Sequence, residues 1–341
     1  MSDPINHRKI KHIEVIQAEH EADRNKFYFD DIHLTHRALP ELNLKDIDPS
    51  VIFMGKTLSF PLVLSSMTGG DHDLVRKVNR NLAEAAEATG VAMAVGSQRV
   101  MFTNPEARSS FEIRPYAPST LLFSNLGAVQ LNYGFTLDMC EEALEVSEAD
   151  ALYLHLNPLQ EAVQSNGNTN FAGLAEKIKE INERLGRPLV LKEVGSGFSE
   201  EDVRLAMKGG IKYIDIAGSG GTSWSRIEYH SRLEKEPDNL GLVFQDWGIP
   251  TPQALLSLKP YRDRLTLIAS GGVRTGIDMV KAMILGATLC GMAAPFLKPA
   301  MESREKVVET IGRLKKEFVT AMFLLGIENT KGLLANESLL R

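Results

Sequence analysis

The chain has 341 residues, 43% hydrophobic and 24% charged, with a formal net charge of −6. That composition builds a globular protein with a sizeable core, and its acidic balance argues against a general binder of nucleic acid or membrane surfaces, which calls for a clustered basic face. Only two cysteines, Cys140 and Cys290, a polar N-terminus and no apolar run approaching about 20 residues give the expectation of a soluble cytoplasmic protein without a disulfide framework, signal peptide or membrane span.

Residues 1–59 carry little regular patterning beyond a mildly amphipathic stretch at 8–20, and FDDIHLTHRALPELNLKDID reads as an extended covering segment. From residue 60 the pattern changes. Eight short apolar runs follow, at 60–70, 91–98, 120–127, 151–157, 188–195, 213–221, 265–272 and 288–295. Consecutive Val, Ile, Leu and Ala are what a parallel strand buried on both faces requires. Helix-periodic stretches lie around and between them, at 72–89, 136–148, 170–185, 199–208, 251–258, 275–285 and 302–325.

Eight strand–helix units predict a closed (β/α)8 TIM barrel over 60–341, with an open doubly wound sheet as the weaker alternative. Nearly every run ends in a polar or glycine cluster, and closure would bring those ends to a single rim. The one long connection, 219–250, carries both tryptophans and flanking glycines and reads as a lid-like insertion.

The rim motifs carry the chemistry. ASGGVRTG at 269–276 and GMAAP at 291–295 follow the last two runs, the usual phosphate site of such barrels. Gly271 and Gly272 let backbone approach an anion, and a helix beginning near Thr275 is expected to turn its free N–H groups toward it. The bland alternative is a tight turn and nothing more. GSGGTS at 218–223 suits the same phosphate. Lys192 sits inside an apolar strand and must meet an anion there. Either it serves a cofactor ring or a Schiff base, or it pairs structurally with a carboxylate such as Asp215. In HLNPLQE at 155–161, His155 and Asn157 share a strand face, with Gln160 and Glu161 just beyond. One carboxylate among neutral donors suits Mg2+ shared with phosphate oxygens, whereas the bland reading is a capped turn with Pro158 opening a helix. Arg8, Lys9 and His12 on one side of a helical turn, with Ser97 and Arg99 after the second run, could complement a polyanion.

RKIKH at 8–12, MTGG at 67–70, AVGSQR at 94–99, SNLGA at 124–128, HLNPLQE, KEVGSG at 192–197, GSGGTSW at 218–224 and ASGGVRTG span nearly the whole chain. By these motifs the chain resembles the type 2 isopentenyl-diphosphate isomerases, flavin-dependent enzymes of isoprenoid biosynthesis. HLNPLQE and RKIKH are specific to them rather than to flavin barrels at large. The resemblance implies interconversion of isopentenyl and dimethylallyl diphosphate by an allylic proton shift on reduced FMN, without net redox change. It implies a requirement for Mg2+, NAD(P)H only as flavin reductant, and a tetramer or octamer. It also implies FMN contacts from Ser66, Met67, Thr68, Gly69, Ser97, Asn125, Lys192, Thr222, Gly271, Gly272, Val273, Arg274, Ala293 and Ala294. Arg8, Lys9, His12, Ser97, Arg99, His155, Asn157 and Gln160 would hold substrate, and Glu161 the metal. Gln160 is expected to orient substrate or assist proton transfer, and Lys192 to pair with the reduced ring. Two rival flavin or nucleotide barrels fit less well: the insertion has no nucleophilic cysteine, and Arg274 has no histidine beside it.

Overall fold

A computed structural model describes residues 4–24, 26, 28–232 and 238–341, leaving out the side chains of residues 4–8 and 10. The chain opens with helix α1 (Pro4–Ala18) and a short antiparallel hairpin, β1 (Val51–Phe53) and β2 (Lys56–Leu58). The barrel then runs β3 (Leu62–Leu64), α2 (Asp73–Thr89), β4 (Ala92–Ala94), β5 (Leu122–Gly127), α3 (Leu137–Ser147), β6 (Ala151–Leu156) and α4 (Pro158–Val163). It continues with α5 (Leu174–Arg184), β7 (Leu189–Glu193), α6 (Glu200–Lys208), β8 (Tyr213–Asp215), α7 (Trp224–Ser231), α8 (Leu240–Val243) and α9 (Thr251–Ser257). Last come β9 (Thr266–Ser270), α10 (Gly276–Ile284), β10 (Ala287–Met292), α11 (Ala294–Glu302) and α12 (Arg304–Leu325). Strands β3 to β10 are parallel and close into one barrel, β10 pairing with β3.

Each barrel strand falls within one of the eight apolar runs, except that β10 starts one residue before the last, and burial explains the pattern. Alternate residues face two different apolar layers. Val63, Phe123, Tyr153, Val190 and Ile268 pack inside the barrel, where Phe53 and Leu58 of the hairpin join them and fill its lower end. Their strand neighbours Leu62, Leu122, Leu154, Leu191 and Leu267 pack outward against the helices. The hairpin was not legible as such in the sequence, being only three residues a side. Above the apolar filling the barrel interior turns polar, through His155, Lys192, Asp215 and Ser270.

Residues 29–48 run along the C-terminal end of the chain, with bridges Leu34–Leu340 and Asp48–Asn329, away from the rim. Among the described N-terminal residues, α1 lines the barrel mouth, and Val15 of α1 and Ala22 of the turn after it pack on Ile227 of α7. Among the described residues no helix is long and apolar enough to cross a membrane.

Candidate active site

The polar strand ends open into one pocket at the C-terminal face of the barrel. Lys9 and His12 of α1 line it from above. Ser66, Met67 and Thr68, then Ser97, Arg99 and Asn125, line one side. His155, Asn157, Gln160, Glu161 and Lys192 line another, and Thr222, Gly271, Gly272, Arg274, Ala293 and Ala294 a third. The expected site residues are thus brought together, with three exceptions. Gly69 faces the ring of Phe111, which a β-carbon there would strike at 2.3 Å. Val273 is fully buried in the outer core. The Arg8 side chain lies outside the described residues.

The side of the pocket formed by β5, β6 and α4 is a connected polar network. The amide of Asn125 donates to the Val95 carbonyl at 3.1 Å, which turns its Oδ1 toward His155 Nδ1 at 2.9 Å. That contact fixes the proton on Nδ1 and leaves Nε2 as an acceptor. Burial pushes the imidazole down to about 3, with Lys9, Lys192 and Arg99 adding their charge, so the ring is neutral at ordinary pH. Asn157 donates to Gln160 Oε1 at 3.1 Å and to Glu161 Oε1 at 2.9 Å, while Glu161 Oε2 accepts from the Asn168 amide at 2.6 Å. This orientation leaves Asn157 Oδ1 buried without a protein donor.

Pro158 opens α4, with Asn157 making no side-chain cap, and that helix carries Gln160 and Glu161 to the pocket wall. Behind Gln160 stands Glu228 of α7, which sequence reasoning missed. It accepts from Gln160 Nε2 at 2.7 Å and lies 3.2 Å from His12 Nε2. Its place in the insertion hid it, because no strand period positions an insertion residue.

Lys192 meets the ion pair that the bland reading foresaw. Its Nζ donates to Asp215 Oδ2 at 3.0 Å and to Ser270 Oγ at 3.2 Å, and Ser270 also bonds Asp215. The ammonium still lines the pocket floor, so structural pairing does not remove it from the site. One expectation is overturned. The N–H groups at the start of α10 are not free: Asp278 Oδ2 accepts from Arg274 and Thr275, and Glu317 Oε2 accepts from Gly276. Arg274 itself is engaged by Asp23. Helix α11 begins differently, at Ala293 without a side-chain cap and with its first residues on the pocket. Of the two tryptophans of the insertion, Trp224 packs edge-on to His12 at the pocket, whereas Trp247 is 63% exposed.

The residues fit a flavin and, with it, a metal-bound diphosphate. Ser65, Ser66 and Thr68 hold buried hydroxyls without protein partners on the pocket wall, the surplus a heteroaromatic ligand consumes. Gly271, at φ +90°, passes so close that a β-carbon would lie 2.1 Å from the Gly218 carbonyl, so the loops after β8 and β9 form one compact cradle. For Mg2+ the donors would be Glu161, each oxygen keeping a second lone pair, and the unpaired Asn157 Oδ1. Among the described residues no group of three or more acidic, histidine or cysteine side chains is arranged to hold a metal ion by itself. Mg2+ here would take its remaining oxygens from substrate and water.

A closed (β/α)8 barrel with a polar pocket at the C-terminal face of its strands has the build of a barrel enzyme. The FMN-dependent dehydrogenase family matches residues 10–109 and 127–340. Isopentenyl-diphosphate delta-isomerases from Hydrogenovibrio crunogenus and Paracoccus zeaxanthinifaciens are 51% and 53% identical, covering 100% and 98% of this chain and 99% and 97% of their own lengths. The chain belongs to the isopentenyl-diphosphate delta-isomerase family, in its FMN-dependent type 2 form. FMN as cofactor follows from that membership. The flavin-binding domain of baker's yeast flavocytochrome b2 shares the fold at a TM-score of 0.67 and 19% identity, the match covering 100% of this chain and 79% of that one.

Proposed function

We propose that this enzyme interconverts isopentenyl and dimethylallyl diphosphate by an allylic proton shift, with reduced FMN and Mg2+ bound and no net redox change. The observation that carries the reading is the division of one pocket into two halves. The hydroxyls of Ser65, Ser66 and Thr68, with the turns at Gly271 and Ala293, face one half. The network of His155, Asn157, Gln160 and Glu161 faces the other.

Reduced FMN, when bound, supplies an electron-rich ring able to carry a proton and to stabilise positive charge beside it. Contacts to it are assigned to Ser66, Met67, Thr68, Ser97, Asn125, Lys192, Thr222, Gly271, Gly272, Arg274, Ala293 and Ala294. Lys192 would offset the negative charge of the reduced ring, its own position fixed by Asp215 and Ser270. Glu161 would hold Mg2+, and Lys9, His12 and Arg99 surround the diphosphate with positive or hydrogen-bonding groups. Neutral His155 offers an acceptor at Nε2, and Asn157 and Gln160 complete the substrate contacts. Gln160 is held by Asn157 and Glu228, which suits orienting the reacting carbons. His12, Trp224 and α1 above the pocket exclude water, on which a reactive cationic centre depends. NAD(P)H serves only to reduce the flavin, the enzyme assembles as a homo-oligomer, and it resides in the cytoplasm, which suits two buried free cysteines.

The test is a conversion assay on protein loaded with FMN. Isopentenyl diphosphate should be converted only after reduction with dithionite or NAD(P)H, and only until EDTA removes the metal. Steady consumption of NAD(P)H in proportion to product would reject the reading in favour of a redox reaction.

A further inference from the structure

The turn that joins α1 to the rest of the chain crosses the rim at residues 22–24, and Arg24 is buried there, 8% exposed. Its Nε donates to the Gly221 carbonyl at 2.7 Å, Nη1 to the Gln245 carbonyl at 2.8 Å and Nη2 to the Gly195 carbonyl at 3.4 Å. These acceptors belong to three separate stretches: the loop after β8, the insertion beyond α8, and the loop after β7. The nearest carboxylate is Asp246, 3.9 Å away and half exposed, so backbone dipoles carry most of the compensation. The planar guanidinium aims its three nitrogens at three separate carbonyls in fixed directions, whereas an ammonium gathers its donors on one nitrogen at the end of a flexible stem. The neighbours repeat the tie: Ser223 N donates to the Ala22 carbonyl at 2.8 Å, and Asp23 bridges to Thr222.

The partners of Arg24 have other supports. One carboxylate oxygen of Glu193 gathers the N–H groups of Val194, Gly195, Ser196 and Gly197. Gly197 donates to the Ala217 carbonyl, and Ser219 to that of Ile249. Among the described residues helix α1 meets the barrel through a small apolar cluster on α7 and through His12 on Trp224 and Glu228, and the turn after it adds ion pairs from Glu19 and Glu21 to Arg226. Loss of the Arg24 bonds therefore falls on α1, which carries Lys9 and His12 over the pocket.

We infer that Arg24 is a positioning residue that holds α1 over the pocket and so sets substrate affinity rather than the rate of the chemical step. The inference rests on reading the pocket as an isomerase site. In Arg24→Ala, loaded with FMN, reduced and supplied with Mg2+, KM for isopentenyl diphosphate should rise about tenfold while kcat stays within about threefold. Amide hydrogen exchange over residues 9–18 should quicken by about tenfold, with β5 and β6 unchanged. Arg24→Lys, which keeps the charge but not the fork, should move both readouts the same way by less; it decides the matter if the alanine variant does not fold. The inference is overturned if KM and α1 exchange stay within about twofold of wild type, or if kcat and barrel-strand exchange move together with KM. Should the wild-type protein fail to convert isopentenyl diphosphate, the isomerase reading falls, and the exchange measurement still decides whether Arg24 holds α1.

Discussion

Two helices begin at the rim after successive barrel strands, and they treat their free N–H groups in opposite ways. At α10, Thr275 and Asp278 form a reciprocal capping box, Asp278 also takes the Arg274 amide, and Glu317 reaches across from α12 to take that of Gly276. At α11, Ala293 offers no side-chain acceptor and Pro295 removes one donor. Both helices point the same end of their dipole at the rim. Yet an anion gains little where two carboxylates of the protein already occupy that end, and much where none does. A motif that spells a glycine turn before a helix thus says where an anion fits sterically. The carboxylates farther along the chain say whether the site is already satisfied.

The largest effect expected from this contrast lies at α11. Ala293→Asp would cap the helix with a carboxylate and repel the FMN phosphate, two like charges a few ångströms apart in a partly desolvated cradle. FMN affinity should weaken by about 100-fold or more, measured by quenching of flavin fluorescence on titration. A variant that binds FMN as tightly as wild type would move the phosphate away from α11.

The same question, whether a polar group is already taken, applies to Glu161. Both of its oxygens accept one bond, from Asn157 and Asn168, but each retains a lone pair for a metal. Glu161→Gln keeps the shape and removes the charge. The Mg2+ concentration for half-maximal activity should rise about tenfold or more, while FMN binding stays unchanged. An unaltered Mg2+ requirement would place the metal elsewhere.

Asp278→Ala tests the closed end of the comparison and should act on stability alone. Removing the cap should cost about 1 kcal/mol, seen as a lower midpoint in thermal or urea unfolding, with FMN affinity within about twofold. If FMN binding fell as sharply as in Ala293→Asp, the start of α10 would belong to the anion site after all.

What the sequence made legible follows from periodicity. Strands such as Leu189–Glu193 and Thr266–Ser270 are buried on both faces, so their apolar runs stand out, and an ionisable residue inside one, like Lys192, is conspicuous. Residues whose place depends on contacts between distant segments leave no such mark. Glu228 reaches Gln160 and His12 from the insertion, and Glu317 caps α10 from α12. The plug hairpin at 51–58 is too short to show a period. Gly69 and Val273 stand outside the pocket lining that their motif neighbours form, because a motif does not record which way each residue of a turn faces.

The smallest effect is expected from titration at His155, for the reason that distinguishes the two helices: its Nδ1 is already engaged by a group of the protein, Asn125. Burial and three cationic neighbours hold the ring at about 3 against 6.5 for a free imidazole, so it stays neutral through the working range. The dependence of kcat/KM on pH should show no His155 ionisation between about pH 5 and 8. An inflection near 6.5 present in wild type and absent in His155→Asn would refute that assignment. Folding gives the sign of a second readout. Because the folded value lies below the unfolded one, the stability tied to the neutral ring is present above 6.5 and is lost as pH falls toward 3. His155→Asn should therefore unfold less steeply than wild type across that acid window, whatever its effect on substrate binding.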